Sequence, residues 1–463
     1  MSGSALLINP WIYDFAAFDM WAFPLGLLYL SSILKNAGWE AHYIDCANRR
    51  HPTLRDKIPK EKLFHQGRYY DVRVEKPKAL HFVPRHYKRY GISEEAFVQD
   101  LLNIKTPDVI LVTSRMTYWY PGVKRAIKIL RQCFPGTPII LGGIYATLCP
   151  DHARNVCKPD HVFAGEAETH IGELINEITG IPCKTDFPAG DRASLDILPL
   201  PDYESLPDTT ALPLETSRGC PYHCSYCASR KLIPRYRRKS PERIADEIQY
   251  AVEQLKTEDF AFYDDALLFE PEKHFEKIAD EIARRGIRAR FHTPNGVFAN
   301  EITPKIAEAM KAMGFHTIRI SLETASVKRL SEMNRAILPS HFKEAVKNLR
   351  SAGFASTEIG AYIMAGLPNQ TKEETREAID FVIECGAIPH IAEYSPIPET
   401  KEWRRAVETS IKDIANEPLY HNNSVYYLIN RNFDINILDE LKHYLQERIR
   451  GMRNAPSFVK PEV

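Results

Sequence analysis

Cys220-Pro221-Tyr222-His223-Cys224-Ser225-Tyr226-Cys227 follows closely on the apolar run Ala211-Leu212-Pro213-Leu214. Three cysteines in a CxxxCxxC spacing on one short loop can give three thiolates to a 4Fe-4S cluster, leaving the fourth iron open to an outside molecule. A structural zinc site is the bland alternative, but such sites favour paired cysteines and a closed four-ligand shell. His223 is a poor fourth ligand, because it neighbours Cys224 and its side chain is expected to point elsewhere. A disulfide framework fares worse: the cysteine count of nine is odd, and the chain opens without a charged-then-apolar signal segment.

Outward from this loop the pattern becomes periodic. Ser240-Pro241-Glu242 reads as an N-cap with proline in the first turn, and Ile244, Ile248, Val252 and Leu255 recur at helical spacing. Further strands are expected at 260–264, 287–292, 317–322, 358–364 and 389–394, with helical patterns between the earlier ones. Six strand-plus-helix units across 211–400 predict an incomplete, TIM-like (β/α)6 barrel with its chemistry at the C-terminal strand ends. In Thr317-Ile318-Arg319-Ile320-Ser321-Leu322-Glu323 the even positions are apolar and should meet the outer helices, which turns Arg319, Ser321 and Glu323 to the lumen. By the same alternation Arg290 and His292 share one face of their strand, as do Glu358, Tyr362 and Met364 of theirs. A lumen ion pair between Arg319 and Glu323 stands as the alternative to ligand contact. Tyr263, His292, Arg319, Glu358, Tyr362 and Tyr394 are the lumen candidates for substrate contact or proton handling.

The chain has 463 residues and is 44% hydrophobic, with no apolar run long enough to span a bilayer, so at least two domains are expected. Residues 183–210, with Pro188, Pro199, Pro201 and Pro207, read as a linker. Residues 1–182 alternate strands and helices as a five-stranded doubly wound, Rossmann-like α/β domain, whose ligands bind at the carboxyl ends of the strands. Leu141-Gly142-Gly143 lets a bulky ligand approach the backbone, and Thr113 and Ser114 place short hydroxyls at another strand end. No GxGxxG occurs, which disfavours a dinucleotide. An insertion at 47–90 carries thirteen Lys and Arg against four Asp and Glu, interleaved with Tyr69, Tyr70, Phe82, Tyr87 and Tyr90. Packing on its own domain outweighs nucleic-acid binding as its reading, and no nucleic-acid partner is predicted. Residues 401–463 form a helical C-terminal extension, expected to cap the barrel mouth. The six other cysteines are scattered, and buried structural thiols are the default for them.

Glu215-Thr216-Ser217-Arg218-Gly219-Cys220-Pro221-Tyr222-His223-Cys224-Ser225-Tyr226-Cys227 resembles the signature of the radical S-adenosylmethionine (radical SAM) superfamily. The resemblance implies that Cys220, Cys224 and Cys227 ligate a 4Fe-4S cluster, that Tyr226 lies against the adenine, and that SAM is cleaved to a 5'-deoxyadenosyl radical. It places Asp264 or Asp265 at the methionine amino group, although Phe262-Tyr263-Asp264-Asp265 departs from the commoner Gly-Gly-Glu form. Ser321 and Glu323 resemble the fourth-strand ribose or carboxylate contacts, Gly366 the fifth-strand glycine motif, and Tyr394 the sixth-strand end near adenine.

Beside that segment, the N-terminal domain resembles the cobalamin-binding domain of cobalamin-dependent (class B) radical SAM enzymes. Thr113, Ser114, Gly142 and Gly143 would cradle the nucleotide tail. The DxHxxG motif that brings histidine to cobalt is absent; the loop reads Pro10-Trp11-Ile12-Tyr13-Asp14, so Trp11, Tyr13, Arg115, Met116 and Tyr118 become the candidates for the lower face. The resemblance implies an anaerobic cytoplasmic methyltransferase, a monomer reduced by a ferredoxin or flavodoxin, moving a methyl group from SAM through methylcobalamin to an unactivated carbon. Its acceptor is a small molecule or a peptide side chain. Cyclisation or rearrangement without methyl transfer, and a non-catalytic electron-transfer iron-sulfur protein, are the alternatives.

Overall fold

The computed structural model describes residues 2–55, 57, 61–185, 187 and 194–453. Part of the expected linker, including Pro188, four positions of the basic insertion, and residues 454–463 of the C-terminal extension lie outside the described residues. The chain divides into two compact units, Met1–Leu212 with Asn416–Leu419, and Pro213–Ala415 with Tyr420–Val463.

In the first unit five strands, β1 (Ser4–Asn9), β2 (Glu40–Asp45), β3 (Val109–Val112), β4 (Ile139–Leu141) and β5 (His161–Val162), form a sheet in the order β5-β4-β3-β1-β2. Its neighbours pair in parallel throughout. The cause lies in the sequence: β1 and β3 are continuous apolar runs, buried on both faces, and such strands need helices on both sides. The longer helices of this unit are α1 (Leu25–Asn36), α2 (Glu94–Leu102), α3 (Tyr120–Cys133) and α4 (Ile171–Thr179). Leu27, Ile33 and Leu34 of α1 and Ile171 and Ile175 of α4 pack on Ala5, Leu7, Val109 and Leu111. The strand order reverses between β1 and β3, the switch point where ligands of this fold bind.

The basic insertion is built into this unit. Asp71–Arg73 and Lys88–Tyr90 form an antiparallel three-stranded sheet with Ile12–Asp14. Tyr69, Tyr87 and Tyr90 are buried. Four of its cations are engaged in ion pairs: Arg49 with Asp19 (3.0 Å), Arg50 with Asp208 (2.5 Å), Lys88 with Asp71 (2.7 Å) and Arg89 with Glu94 (3.2 Å).

The second unit carries a six-stranded sheet in strict chain order: β6 (Ala211–Leu214), β7 (Asp259–Phe262), β8 (Arg290–His292), β9 (Phe315–Glu323), β10 (Ile359–Ala365) and β11 (Ile388–Glu393). Strands β7 to β11 pair in parallel, and β6 and β11 are not neighbours, so the barrel is open. The connecting helices are α5 (Pro241–Gln254), α6 (Phe275–Arg285), α7 (Pro304–Met313), α8 (Pro339–Ser351) and α9 (Lys372–Glu384). Local chemistry sets their ends: Ser240 caps α5, Thr371 and Glu374 form a capping box on α9, and Gly286 ends α6 at φ +65°. Along β9, Ile318, Ile320 and Leu322 are fully buried, as the alternation predicts.

The C-terminal extension departs from the expected cap. Its long helix α10 (Ile435–Arg453) lies along the flank of α9 instead of the mouth. Lys372 pairs with Glu440 (2.6 Å), while Tyr444 and Arg448 both donate to Asp380 (2.7 Å each). Leu438 and Leu441 supply its buried stripe, which needs an apolar partner that the barrel flank offers and a solvated mouth does not. The segment before it packs at the strand ends, where Ala406, Ile414, Tyr426 and Ile429 meet Met333, Met364, Leu367 and Tyr394, and α10 itself touches the end of β11 through Lys442 and Glu393 (2.5 Å).

Candidate functional site

The loop after β6 is pinned at both ends. Ser217–Arg218 pairs antiparallel with Arg237–Arg238, and Gly219 (φ +78°) is obligatory, since a Cβ there would lie 2.8 Å from the Arg235 carbonyl oxygen. The Asp264 carboxylate accepts from the Thr216 amide (3.1 Å), the Thr216 hydroxyl (2.6 Å) and the Ser217 hydroxyl (2.6 Å). It is buried and committed to holding the cysteine loop, which corrects its expected place at a cofactor. Asp265 is the exposed one; it hydrogen-bonds the Ser229 hydroxyl and its charge acts on Cys220 and Cys227.

Cys220, Cys224 and Cys227 are free thiols close enough that their charges would interact. Burial pushes the Cys220 thiol up to about 12. A cation stands ready on the other side. Arg335, which the sequence reading missed, aims Nη1 at Cys224 Sγ (3.5 Å), donates Nη2 to the Ser321 carbonyl (2.6 Å), and lies 3.7 Å from Glu323 and 4.1 Å from the centre of the Phe298 ring. Its Nε is buried with no partner among the described residues. A buried donor left open beside three cysteines fits an anionic ligand carried to that spot. The signal was a lone arginine on the irregular segment after the short helix Val327–Glu332, with no periodicity to mark it.

Glu323 ends β9 at φ +71°, a strained conformation for a residue with a side chain. It is buried; desolvation raises its carboxyl, and the opposing influences are Arg335 and a hydrogen bond from Tyr226. The ion pair weighed for Glu323 is therefore made with Arg335 and not with Arg319. Ser321 faces Gly296 (φ +82°), where a Cβ would lie 2.3 Å from its Oγ. Gly366 (φ +90°) turns the chain after β10, with Gln370 donating to the Met364 carbonyl (2.8 Å). Tyr226 packs against Met333, Met364, Leu367 and Tyr394, and the Tyr394 hydroxyl is buried with no partner among the described residues. The cysteine loop is also tied to the extension: Ser225 Oγ donates to Glu402 (2.8 Å), and the Glu402 amide to the Ser225 carbonyl (3.0 Å).

Two lumen candidates stand at the wrong end. His292 is level with Thr317, low in the sheet, and its Nε2 is 2.8 Å from Asp259, which also pairs with Arg290 (2.7 Å). Glu358 precedes β10 and accepts from the Ala355 amide (2.7 Å), with His316 and Lys311 each 3.8 Å away. Glu358 belongs to the N-terminal end of the strands, and His292, though last in its short strand, is tied down to Asp259 at that end, where polar networks stabilise the barrel. Alternation identified the face but not the height. Tyr263, at the end of β7, is held by its backbone: its amide donates to Leu214, and its carbonyl accepts from Asn295 (2.8 Å). Arg319 and Tyr362 lie in the lumen with His390, and the Tyr362 hydroxyl donates to the Pro294 carbonyl (2.7 Å).

In the first unit the carboxyl ends of β1 and β3 border a cleft lined by Asn9, Pro10, Thr113, Arg115 and Trp119. Gly143 (φ +92°, ψ −167°) begins the next turn, and a Cβ there would sit 2.2 Å from the Ser114 carbonyl oxygen. Gly142 is open: its Cβ would meet only the Phe163 carbonyl, at 3.8 Å. That opening and the bare Gly165, with nothing within 4 Å, leave a backbone cradle that fits a bulky ligand.

Two expected contacts are spent elsewhere. Trp11 borders the cleft but is 1% exposed, donates to the Ile92 carbonyl (2.7 Å) and packs edge-on against Phe97. The Ser114 hydroxyl donates to the Gly142 carbonyl (2.6 Å) and accepts from the Ala146 amide (3.2 Å). Tyr13 hydrogen-bonds Arg89, Tyr118 is buried edge-on to Trp119, and Met116 is 44% exposed. Trp119, unflagged in the sequence, is held by Asp14 (2.7 Å).

Residues 214–382 match the radical SAM superfamily and residues 85–175 the B12 binding domain. An uncharacterized methyltransferase of Pyrococcus horikoshii is 26% identical over 81% of this chain and 84% of its own. The hopanoid C-2 methylase of Rhodopseudomonas palustris is 27% identical over 58% of this chain, which spans about half (52%) of the methylase. Among solved structures, the radical S-adenosylmethionine methyltransferase TsrM of Kitasatospora setae shares the fold with a TM-score of 0.67 and 15% identity, covering 100% of this chain and 92% of its own. Among the described residues no helix is long and apolar enough to cross a membrane.

Proposed function

Because the chain belongs to the cobalamin-dependent radical SAM enzymes, we propose that it places a methyl group on an unactivated carbon of its acceptor, with its strand-end residues dividing the work as follows. One observation carries the assignment: three free cysteines on one pinned loop are faced by a buried arginine whose Nε has no partner among the described residues. Cys220, Cys224 and Cys227 would hold the 4Fe-4S cluster. Arg335 would hold the carboxylate of SAM, Asp265 its amino group, Ser321 and Glu323 its ribose side, and Tyr226 its adenine. In the first unit Thr113, Arg115, Gly142 and Gly143 would hold cobalamin. Bound there, these groups supply the methyl group and a hydrogen-abstracting radical; the protein contributes orientation and exclusion of water and oxygen.

The chain's own residues keep that site rigid. Asp264 fixes the approach to the cysteine loop, Glu402 fixes the loop from the side, and the strained Glu323 is held by Arg335 and Tyr226. A ferredoxin or flavodoxin as reductant and an anaerobic cytoplasm as location go with this reading.

The test is anaerobic reconstitution of the full chain with iron, sulfide and cobalamin, followed by assay of 5'-deoxyadenosine and S-adenosylhomocysteine. Both products are expected. Deoxyadenosine alone overturns methyl transfer in favour of cyclisation or rearrangement, and neither product leaves an electron-transfer protein.

A further inference from the structure

Arg319 points into the barrel lumen without a counter-charge. Its Nη1 donates to the Ile318 carbonyl (3.3 Å), its other side-chain partner is Tyr362, and among the described residues no carboxylate pairs with it. Glu323, the acid two residues along the same face, is taken by Arg335. Burial lowers the Arg319 guanidinium below its usual value, so the surroundings work against its charge. A desolvated cation with no internal partner is costly unless an anion arrives to pair with it.

The neighbours are arranged for such a visitor. His390 faces Arg319 from β11, and burial, reinforced by the arginine, lowers its imidazole to about 4, so it adds no second positive charge at neutral pH. Between them β10 carries Gly360, where a Cβ would lie 2.8 Å from both Arg319 Nη1 and His390 Nε2. Any other residue there would crowd the guanidinium. Arg319, Tyr362 and His390 each keep partial solvent access, so an entering group can reach them.

We propose that Arg319, flanked by Tyr362 and by His390 across Gly360, is the subsite that takes a carboxylate of the methyl acceptor. The assignment rests on the reading of this barrel as a methyltransferase site and narrows the acceptor to molecules bearing a carboxylate. It is separate from Arg335, which faces the cysteine loop. A planar guanidinium with free donors matches a carboxylate in a two-point grip, which a lysine cannot reproduce.

The full chain is titrated with sodium acetate, with acetamide as the neutral isostere and inorganic phosphate as the competing anion, at constant ionic strength, reading binding by calorimetry. Acetate is expected to bind and acetamide not. Arg319→Met should weaken acetate binding by about 30-fold, the lower range for losing one partner of a buried charged pair. Arg319→Lys should restore only part of it. Circular dichroism and iron content confirm that each variant is folded, and Gly360→Ala, which keeps every charge but fills the gap, should also weaken binding.

Equal acetate binding by wild type and Arg319→Met overturns the proposal, as does tighter binding of phosphate than acetate through Arg319. The methyltransferase reading is scored separately on the same preparation by S-adenosylhomocysteine. Its formation without Arg319-dependent acetate binding sinks the subsite alone; acetate binding without it sinks the reading alone.

Discussion

Gly142 and Gly143 are adjacent, yet they should respond oppositely to the same change. Gly143 combines φ +92° with ψ −167°, a region essentially reserved for glycine, at a cost of about 1–3 kcal/mol for a residue with a Cβ. The added carbon would also lie 2.2 Å from the Ser114 carbonyl oxygen, which is backbone of β3's own turn and cannot swing aside. Forcing that contact apart adds about 1–3 kcal/mol. Gly143→Ala should therefore destabilise the first unit by about 2–6 kcal/mol, a large part of the stability of a typical domain. Gly142→Ala places its carbon 3.8 Å from the nearest atom and should change stability by less than about 1 kcal/mol. Its effect belongs to the ligand: if the open backbone is where cobalamin lies, Gly142→Ala lowers cobalamin affinity in a folded protein. Urea unfolding measures the first quantity and absorbance titration with cobalamin the second. Equal unfolding midpoints for the two variants, or full cobalamin affinity in Gly142→Ala, would refute the reasoning.

Three further outcomes follow from the barrel. Asp264→Asn removes an acceptor from two hydroxyls and an amide and should cost about 2–4 kcal/mol with reduced iron per chain, whereas Asp265→Asn should keep its iron and its melting temperature while losing SAM affinity. The His390 imidazole stands at about 4 when folded, below its unfolded value of 6.5, so the unfolded chain takes up the proton first; stability is complete above about 6.5 and falls as pH drops towards about 4. The loss is at most about 3 kcal/mol, lessened by partial exposure, and the difference in urea midpoint between wild type and His390→Gln across that window measures it. Glu402→Ala frees Ser225 and should cost about 1–3 kcal/mol, with iron released faster to a chelator than from wild type; an unchanged release rate would show that the extension does not hold the cysteine loop.

The parts of this molecule set by local chemistry were legible in the sequence. Periodicity located the barrel strands β6 to β11, where apolar side chains recur at period two or in short runs, and the cysteine spacing located the loop. What alternation could not convey was height along a strand. His292 and Arg319 sit on inward faces of adjacent strands, yet the first is tied to Asp259 at the bottom, and the second pairs with no acid among the described residues. Nor does residue type reveal which partner a polar group has already taken. Ser114 and Asp264 looked available because their hydrogen bonds run to segments 28 and 48 residues away in sequence. Arg335 was overlooked for the converse reason, since its importance lies in contacts with Cys224, 111 residues earlier.

The gap between β6 and β11 has a mechanical meaning. In a closed barrel, strand number and shear fix the radius, so a wider lumen would require breaking ladder hydrogen bonds. Here every ladder from β6 to β11 can stay intact while the two outer strands move apart, as a split ring opens without fracture. The girth of the lumen is then governed by side chains and by the docked α10, whose polar clasp on Asp380 acts as a brace on one lip of the split. Members of such a fold can admit acceptors of different bulk by altering that brace, with the strand-end residues left in place.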